Sequence, residues 1–152
     1  MAVVRYDFGG LVFRTTYDFS RLERNICKVA GLYPGQPRIL TILKENEGVT
    51  LSELSPLCTI GMPSLSVSVR NLQKAGYIRK EGSGKNQHLF LTEEGWEKAQ
   101  IFHEHIDAFY RDLLADLGEE HSDLLNESMI RFDDYMKRYN ETFEADHGWN
   151  NK

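Results

Sequence analysis

Cysteine is scarce, and long apolar runs are missing. Cys27 and Cys58 are the only thiols in the 152 residues. Two are too few for the disulfide framework of a small secreted domain, and they suit a reducing, cytoplasmic compartment. No stretch approaches the roughly 20 consecutive apolar residues that span a bilayer. The opening Met-Ala-Val-Val-Arg-Tyr-Asp lacks the basic-then-apolar layout of a secretory leader. No membrane partner is therefore expected. Low-complexity segments and internal repeats are also absent. So is any grouping of nucleophile, base and orienting residue, and any cofactor loop, so the chain is not expected to be an enzyme or to carry a cofactor.

Three local patterns come near a chemical motif and fall short. Gly82-Ser83-Gly84-Lys85-Asn86 is a partial phosphate-binding loop, but Arg79 stands where the first glycine is needed and Asn86 where Ser or Thr is needed. His103 and His105 lie two apart on a helical stretch, so they do not face one ion, and no third ligand can be placed; no metal is expected. Arg24 and Lys28 flank Cys27, which offers weak grounds for a reactive thiolate, while Cys58 reads as a small apolar packing residue.

The sequence does hold the material for a packed fold: 41% of it is hydrophobic and 27% charged. The net charge of −5 is unpromising for a nucleic-acid binder, yet the charge is unevenly spread. Between residues 61 and 90 stand Arg70, Lys74, Arg79, Lys80 and Lys85 against one acid, Glu81. A basic patch on an acidic body is the layout of a DNA-reading element.

Residues 11–30 read as a helix, with Leu11, Thr15, Phe19, Leu22, Ile26 and Val29 on one stripe and Phe8, Phe13 and Tyr17 on a second apolar surface, one for the chain's own core and one for a partner. Gly31 ends it and Pro34-Gly35-Gln36-Pro37 turns the chain. A second helix over 38–45 buries Ile39, Leu40, Ile42 and Leu43. Thr50-Leu51-Ser52-Glu53 is a capping box that opens a third helix, kept short or bent by Pro56. A fourth helix covers 63–75, with Pro63 at its first position, Leu65, Val69 and Leu72 inward, and Ser64, Ser66, Val67, Arg70, Asn71 and Lys74 on the opposite face. Residues 77–80 and 87–91 form a β-hairpin around the glycines of 82–84. Two striped helices follow, one ending at Gly118 and one over 119–143. Their unclaimed apolar stripes predict self-association. The expected fold class is mainly α with a small β-hairpin wing: a winged helix-turn-helix between N- and C-terminal dimerisation helices.

In this order of elements the chain resembles the MarR family of winged-helix transcription regulators. The likeness is carried by Leu32-Tyr33-Pro34-Gly35-Gln36-Pro37-Arg38-Ile39-Leu40, Leu51-Ser52-Glu53-Leu54, Leu72-Gln73-Lys74-Ala75-Gly76-Tyr77-Ile78-Arg79-Lys80 and Leu89-Phe90-Leu91-Thr92-Glu93-Glu94-Gly95. The resemblance implies a homodimer, with residues 1–31 and 96–145 as the dimerisation region, 32–95 as the DNA-binding domain and 146–152 as a flexible tail. It implies double-stranded DNA as partner, read at a pseudo-palindromic operator, and the role of a ligand-responsive repressor. The DNA-contacting residues would be Ser52, Pro63, Ser64, Ser66, Val67, Arg70, Asn71, Lys74, Arg79 and Lys85. A small aromatic or phenolic effector would meet Tyr17, Arg21, Arg38, Trp96 and His103. Two positions depart from the family pattern. Ser83-Gly84-Lys85 replaces the usual Asp-x-Arg of the wing, which removes the guanidinium fork. Val67 replaces a residue that is often polar or basic, which leaves contact with a thymine methyl or weak binding. The weakened wing and acidic body admit an alternative reading, a winged-helix module that binds protein rather than DNA.

Overall fold

The computed structural model describes residues 7–58, 60–84 and 87–148. It divides into two compact units, Met1–Asp107 and Ala108–Lys152.

In the first unit α1 spans Phe8–Ala30. It begins three residues before the sequence reading places it. Only its last turns reach the core, through Ile26, Cys27 and Ala30. Of the rest of the stripe read from the sequence, Leu22 is half-buried, Leu11 and Phe19 are exposed, and Val29 is 64% exposed. Gly31 takes a left-handed conformation (φ 72°), which lets the Leu32 amide reach back to Cys27 O at 2.8 Å and close the helix end.

α2 spans Gln36–Glu45, with Pro37 in its first turn. The Gln36 side chain accepts a hydrogen bond from the Tyr33 amide at 2.9 Å, and the Gln36 amide donates to Tyr33 O at 3.0 Å, which closes the turn before the helix. Ile39, Leu40 and Leu43 are fully buried. A two-residue strand, β1 (Val49–Thr50), leads directly into α3 (Leu51–Cys58). The capping box forms as read: Glu53 Oε2 accepts from the Thr50 amide and hydroxyl, each at 2.8 Å. These hydrogen bonds hold the Glu53 carboxyl below its ordinary pKa. The helix contains Pro56 and is eight residues long.

α4 spans Met62–Lys74 and buries Leu65, Val69 and Leu72. The Tyr77 amide returns to Leu72 O at 3.0 Å across Gly76, which has φ 82°. The helix therefore ends in the left-handed turn that glycine permits. β2 (Ile78–Glu81) and β3 (His88–Leu91) form the hairpin. The sheet has three strands, in the order β1-β3-β2, all antiparallel. The sequence reading contained only the hairpin, because a two-residue strand has no periodicity to detect. α2 packs on α3, α3 on α4 and α4 on β2, around a core that includes Leu40, Leu43, Leu54, Leu65, Leu72, Ile78 and Leu89.

α5 spans Glu93–Asp146. In the first unit it buries Gly95, Ala99, Phe102 and Ile106. The second unit is helical on both sides of Gly118, whose φ of 74° and ψ of 167° break the helix at the position read from the sequence. Ser122 Oγ donates back to Gly118 O at 2.7 Å, one turn after the break. No described residue of this unit is buried. Tyr135, Tyr139, Phe143 and His147 stack in succession along one line of the helix. Among the described residues no helix is long and apolar enough to cross a membrane. Residues 149–152, most of the expected flexible tail, lie outside the described ones.

Candidate nucleic-acid interface

With Leu65, Val69 and Leu72 turned inward, α4 presents the opposite stripe to solvent. Pro63, Val67, Arg70 and Lys74 recur at steps of four, three and four, so they stand in one row. All four are exposed, as are Ser64 and Asn71 beside them. Ser66 lies at the edge of this face and is half-buried. Gly61, extended at φ −60° and ψ 145°, precedes the helix, and Ser55 Oγ donates to Ile60 O at 2.9 Å across the turn from α3.

The hairpin stands beside the starts of α3 and α4. A cleft of about 450 Å³ is lined by Leu51, Ser52, Met62, Lys80, Gly84, Gln87 and Leu89. Ser52, expected to meet DNA, is on its wall. Lys80 was not among the expected contacts, yet it shares that wall. Strand alternation explains the difference: Arg79 and Glu81 point to one side of β2, and Lys80 points to the other. Arg79 forms an ion pair with Glu81 and lies 4.4 Å from the centre of the Phe90 ring, its partner across the strand pair. It thus comes with a carboxylate that a phosphate would have to displace. Lys85 lies outside the described residues.

The wing is tied to α5 by a compact knot. Thr92 Oγ1 donates to Gly76 O at 2.8 Å and accepts from the Gly95 amide at 3.1 Å, capping the helix. The Thr92 amide donates to Tyr77 O at 3.1 Å. The end of α4 and the start of α5 are therefore held by the same few atoms.

A second concavity of about 560 Å³ lies among α1, α2, α3 and the first part of α5. Its lining is apolar at Phe19, Pro37, Ile42, Leu57, Phe102 and Ile106, and polar at Glu23, Arg38, Thr41, Glu45, Asn46 and His103. Of the expected effector residues it gathers Arg38 and His103. Tyr17 and Arg21 are exposed on α1 and are not on this lining, and Trp96 lines a different, smaller cleft beneath Lys44. Thr41 Oγ1 donates to Pro37 O at 3.0 Å, which uses its only hydrogen. The 2.7 Å contact between Thr41 Oγ1 and His103 Nε2 therefore has the imidazole as donor. In the neutral ring this leaves Nδ1 as an acceptor. The hydroxyl thus links α2 to α5 and sets the tautomer of a cavity residue, which the sequence does not reveal.

Cys27 and Cys58 are both fully buried. Burial, with Glu23 adding to it, pushes the Cys27 thiol up to about 11. Burial also raises Cys58, against the opposing effect of Arg38. The flanking cations Arg24 and Lys28 do not make Cys27 a thiolate. No three His, Cys, Asp or Glu side chains among the described residues are placed to share a metal ion.

A helix-turn-helix whose second helix shows a polar row to solvent, followed by a hairpin wing and flanked by long helices, defines a winged helix-turn-helix fold. It is the fold of the MarR-family transcription regulators. The chain is similar to MepR of Staphylococcus aureus in a MepR–DNA complex, with a TM-score of 0.74 at 15% identity over 88% of this chain and 99% of that one. It is similar to ligand-free NadR, with a TM-score of 0.67 at 24% identity over 89% of this chain and 99% of that one. A MarR-family regulator from Silicibacter pomeroyi aligns with a TM-score of 0.62 at 19% identity, over 80% of this chain and 84% of that one. No protein-family model matches the sequence, and no curated protein does.

Proposed function

We propose that the protein is a DNA-binding transcription regulator that acts as a homodimer and answers to a small ligand. The observation that carries this reading is the outward row of α4, where Arg70 and Lys74 stand exposed on a helix pinned at both ends. A helix of this kind fits the major groove, where its side chains reach base edges. Pro63, Ser64, Ser66, Val67, Arg70 and Asn71 would then face the bases. Lys74, Arg79, Lys80, Lys85 and Ser52 would meet phosphates, which set register and affinity without reading sequence.

The dimer is supported by the apolar surface that a single chain leaves in water. Phe8, Phe13 and Tyr17 on α1, and Leu124, Met129, Ile130, Tyr135 and Tyr139 in the second unit, are all more than half exposed. Lone surface hydrophobics are ordinary, but contiguous stripes of them mark an interface. Two recognition helices related by a two-fold axis would read half-sites about one helical turn apart.

The cavity beside Arg38 and His103 supports a ligand response. A small aromatic acid or phenol would place its ring among Phe19, Phe102 and Ile106 and its polar group near Arg38 or His103. Such a ligand would relieve repression if it favoured a dimer whose recognition helices are wrongly spaced for the operator.

Selection of binding sites from random-sequence duplex DNA, followed by anisotropy titration at several salt concentrations, tests the reading. A pseudo-palindromic site should be enriched. Its affinity should fall by about 0.9 log units per log unit of salt for each phosphate neutralised. Failure to enrich any sequence, or salt-independent binding, contradicts it.

A further inference from the structure

We propose that Val67 is a specificity-determining residue that reads the C5-methyl group of a thymine in each half-site. This rests on the reading of α4 as the helix that enters the major groove. Val67 is not part of the core: it is 52% exposed, while its neighbours Leu65 and Val69 are buried to within 1%. It lies between Pro63 and Arg70 in the outward row, and Lys74 is one step further on. Any base pair that the centre of this row approaches therefore meets an aliphatic surface flanked by polar and cationic groups.

The chemistry of the groove then narrows the choice. Base edges in the major groove offer acceptors, amino donors and one apolar feature, the thymine methyl. Valine has no hydrogen-bonding group. Against guanine, adenine or cytosine it would strip water from a polar edge and give nothing back, which costs free energy. Against thymine it buries methyl on methyl. The side chain is also well suited to a fixed contact. In a helix, valine strongly prefers one χ1 rotamer, so its two methyls stand where the backbone puts them. Arg70, three residues along the same row, would hydrogen-bond the neighbouring base or phosphate and so fix the register of that contact.

The experiment uses the site enriched by the full-length protein. Each thymine is replaced in turn by deoxyuridine, which removes only the C5-methyl, and affinity is read by anisotropy. For the wild-type chain, one thymine per half-site should be sensitive, with about a fourfold loss per methyl removed. Val67→Ala should bind the unmodified site more weakly and show no further loss at that thymine. Its far-UV circular dichroism spectrum and its mass in solution should match those of the wild type, which a misfolded chain would not achieve. Cytosine at the sensitive position should weaken wild-type binding, and 5-methylcytosine should recover part of the loss. The Val67 assignment is overturned if every deoxyuridine substitution is neutral, or if Val67→Ala keeps the sensitivity at the same thymine. Either result leaves DNA binding intact. A chain that enriches no site overturns the DNA reading and the Val67 assignment with it.

Discussion

At Gly95 a Cβ would lie 2.1 Å from Tyr77 O, closer than any side-chain carbon can stand to a backbone oxygen. The contact ties α5 to Tyr77, three residues beyond the end of α4, and the atoms it meets are backbone. Alanine normally favours a helix by up to about 1 kcal/mol over glycine, but here the clash should dominate. Gly95→Ala is expected to cost about 1–3 kcal/mol and lower the melting temperature by several degrees on thermal denaturation. An unchanged melting temperature would mean that the two segments separate freely. The buried thiols give a second expectation. Because Cys27 ionises near 11 when folded, against an ordinary value near 8.5, the unfolded chain releases its proton first as pH rises. Cys27's contribution to stability is thus fully present at neutral pH and is lost between those values. Denaturant midpoints should fall across that alkaline window. Cys27→Ser should flatten the fall, and a disulfide reagent should label neither cysteine at neutral pH without denaturant.

Among the elements, legibility followed how local the signal was. The capping box at Thr50 and Glu53, the left-handed stops at Gly31 and Gly76, and the break at Gly118 are each set by a few neighbouring residues, and all stand where the sequence places them. The inward stripe of α4 was equally plain, since Leu65, Val69 and Leu72 repeat at helical steps. What needed distant partners stayed hidden. β1 exists only because Val49 and Thr50 meet Leu89 and His88 from the hairpin. Arg38 and His103 share a cavity 65 positions apart in sequence, and the hydrogen bond from His103 to Thr41 closes over a similar separation. The two apolar surfaces of α1 are legible, but not which of them meets the chain's own core, because that depends on distant residues. The division of labour on α4 and the wing gives the prediction proper to this scale. Arg70→Ala should weaken binding to the selected site more than to random DNA, relaxing specificity, by about 1–3 kcal/mol if it grips a guanine. Lys74→Ala should weaken both alike and reduce the salt slope by about one contact. Equal losses on both duplexes for Arg70→Ala would remove its base-reading role.

The whole molecule poses a question of covering. A unit without a single buried described residue, yet carrying Leu124, Met129, Ile130, Tyr135 and Tyr139 in the open, would gain stability from the second copy of the proposed dimer. Burying each such side chain contributes about 1.5–3 kcal/mol, and a second copy offers the same surface in a self-complementary way. The uneven charge fits this arrangement. In the proposed dimer the acidic body would repel DNA, and the basic window at α4 and the wing would make the approach. Sedimentation equilibrium of the purified chain, alone and with a duplex bearing its selected site, tests the arrangement most directly. The expected result is a dimer in the absence of DNA and a complex of two chains on one duplex. A monomer that forms no complex with the duplex even at low salt would contradict it.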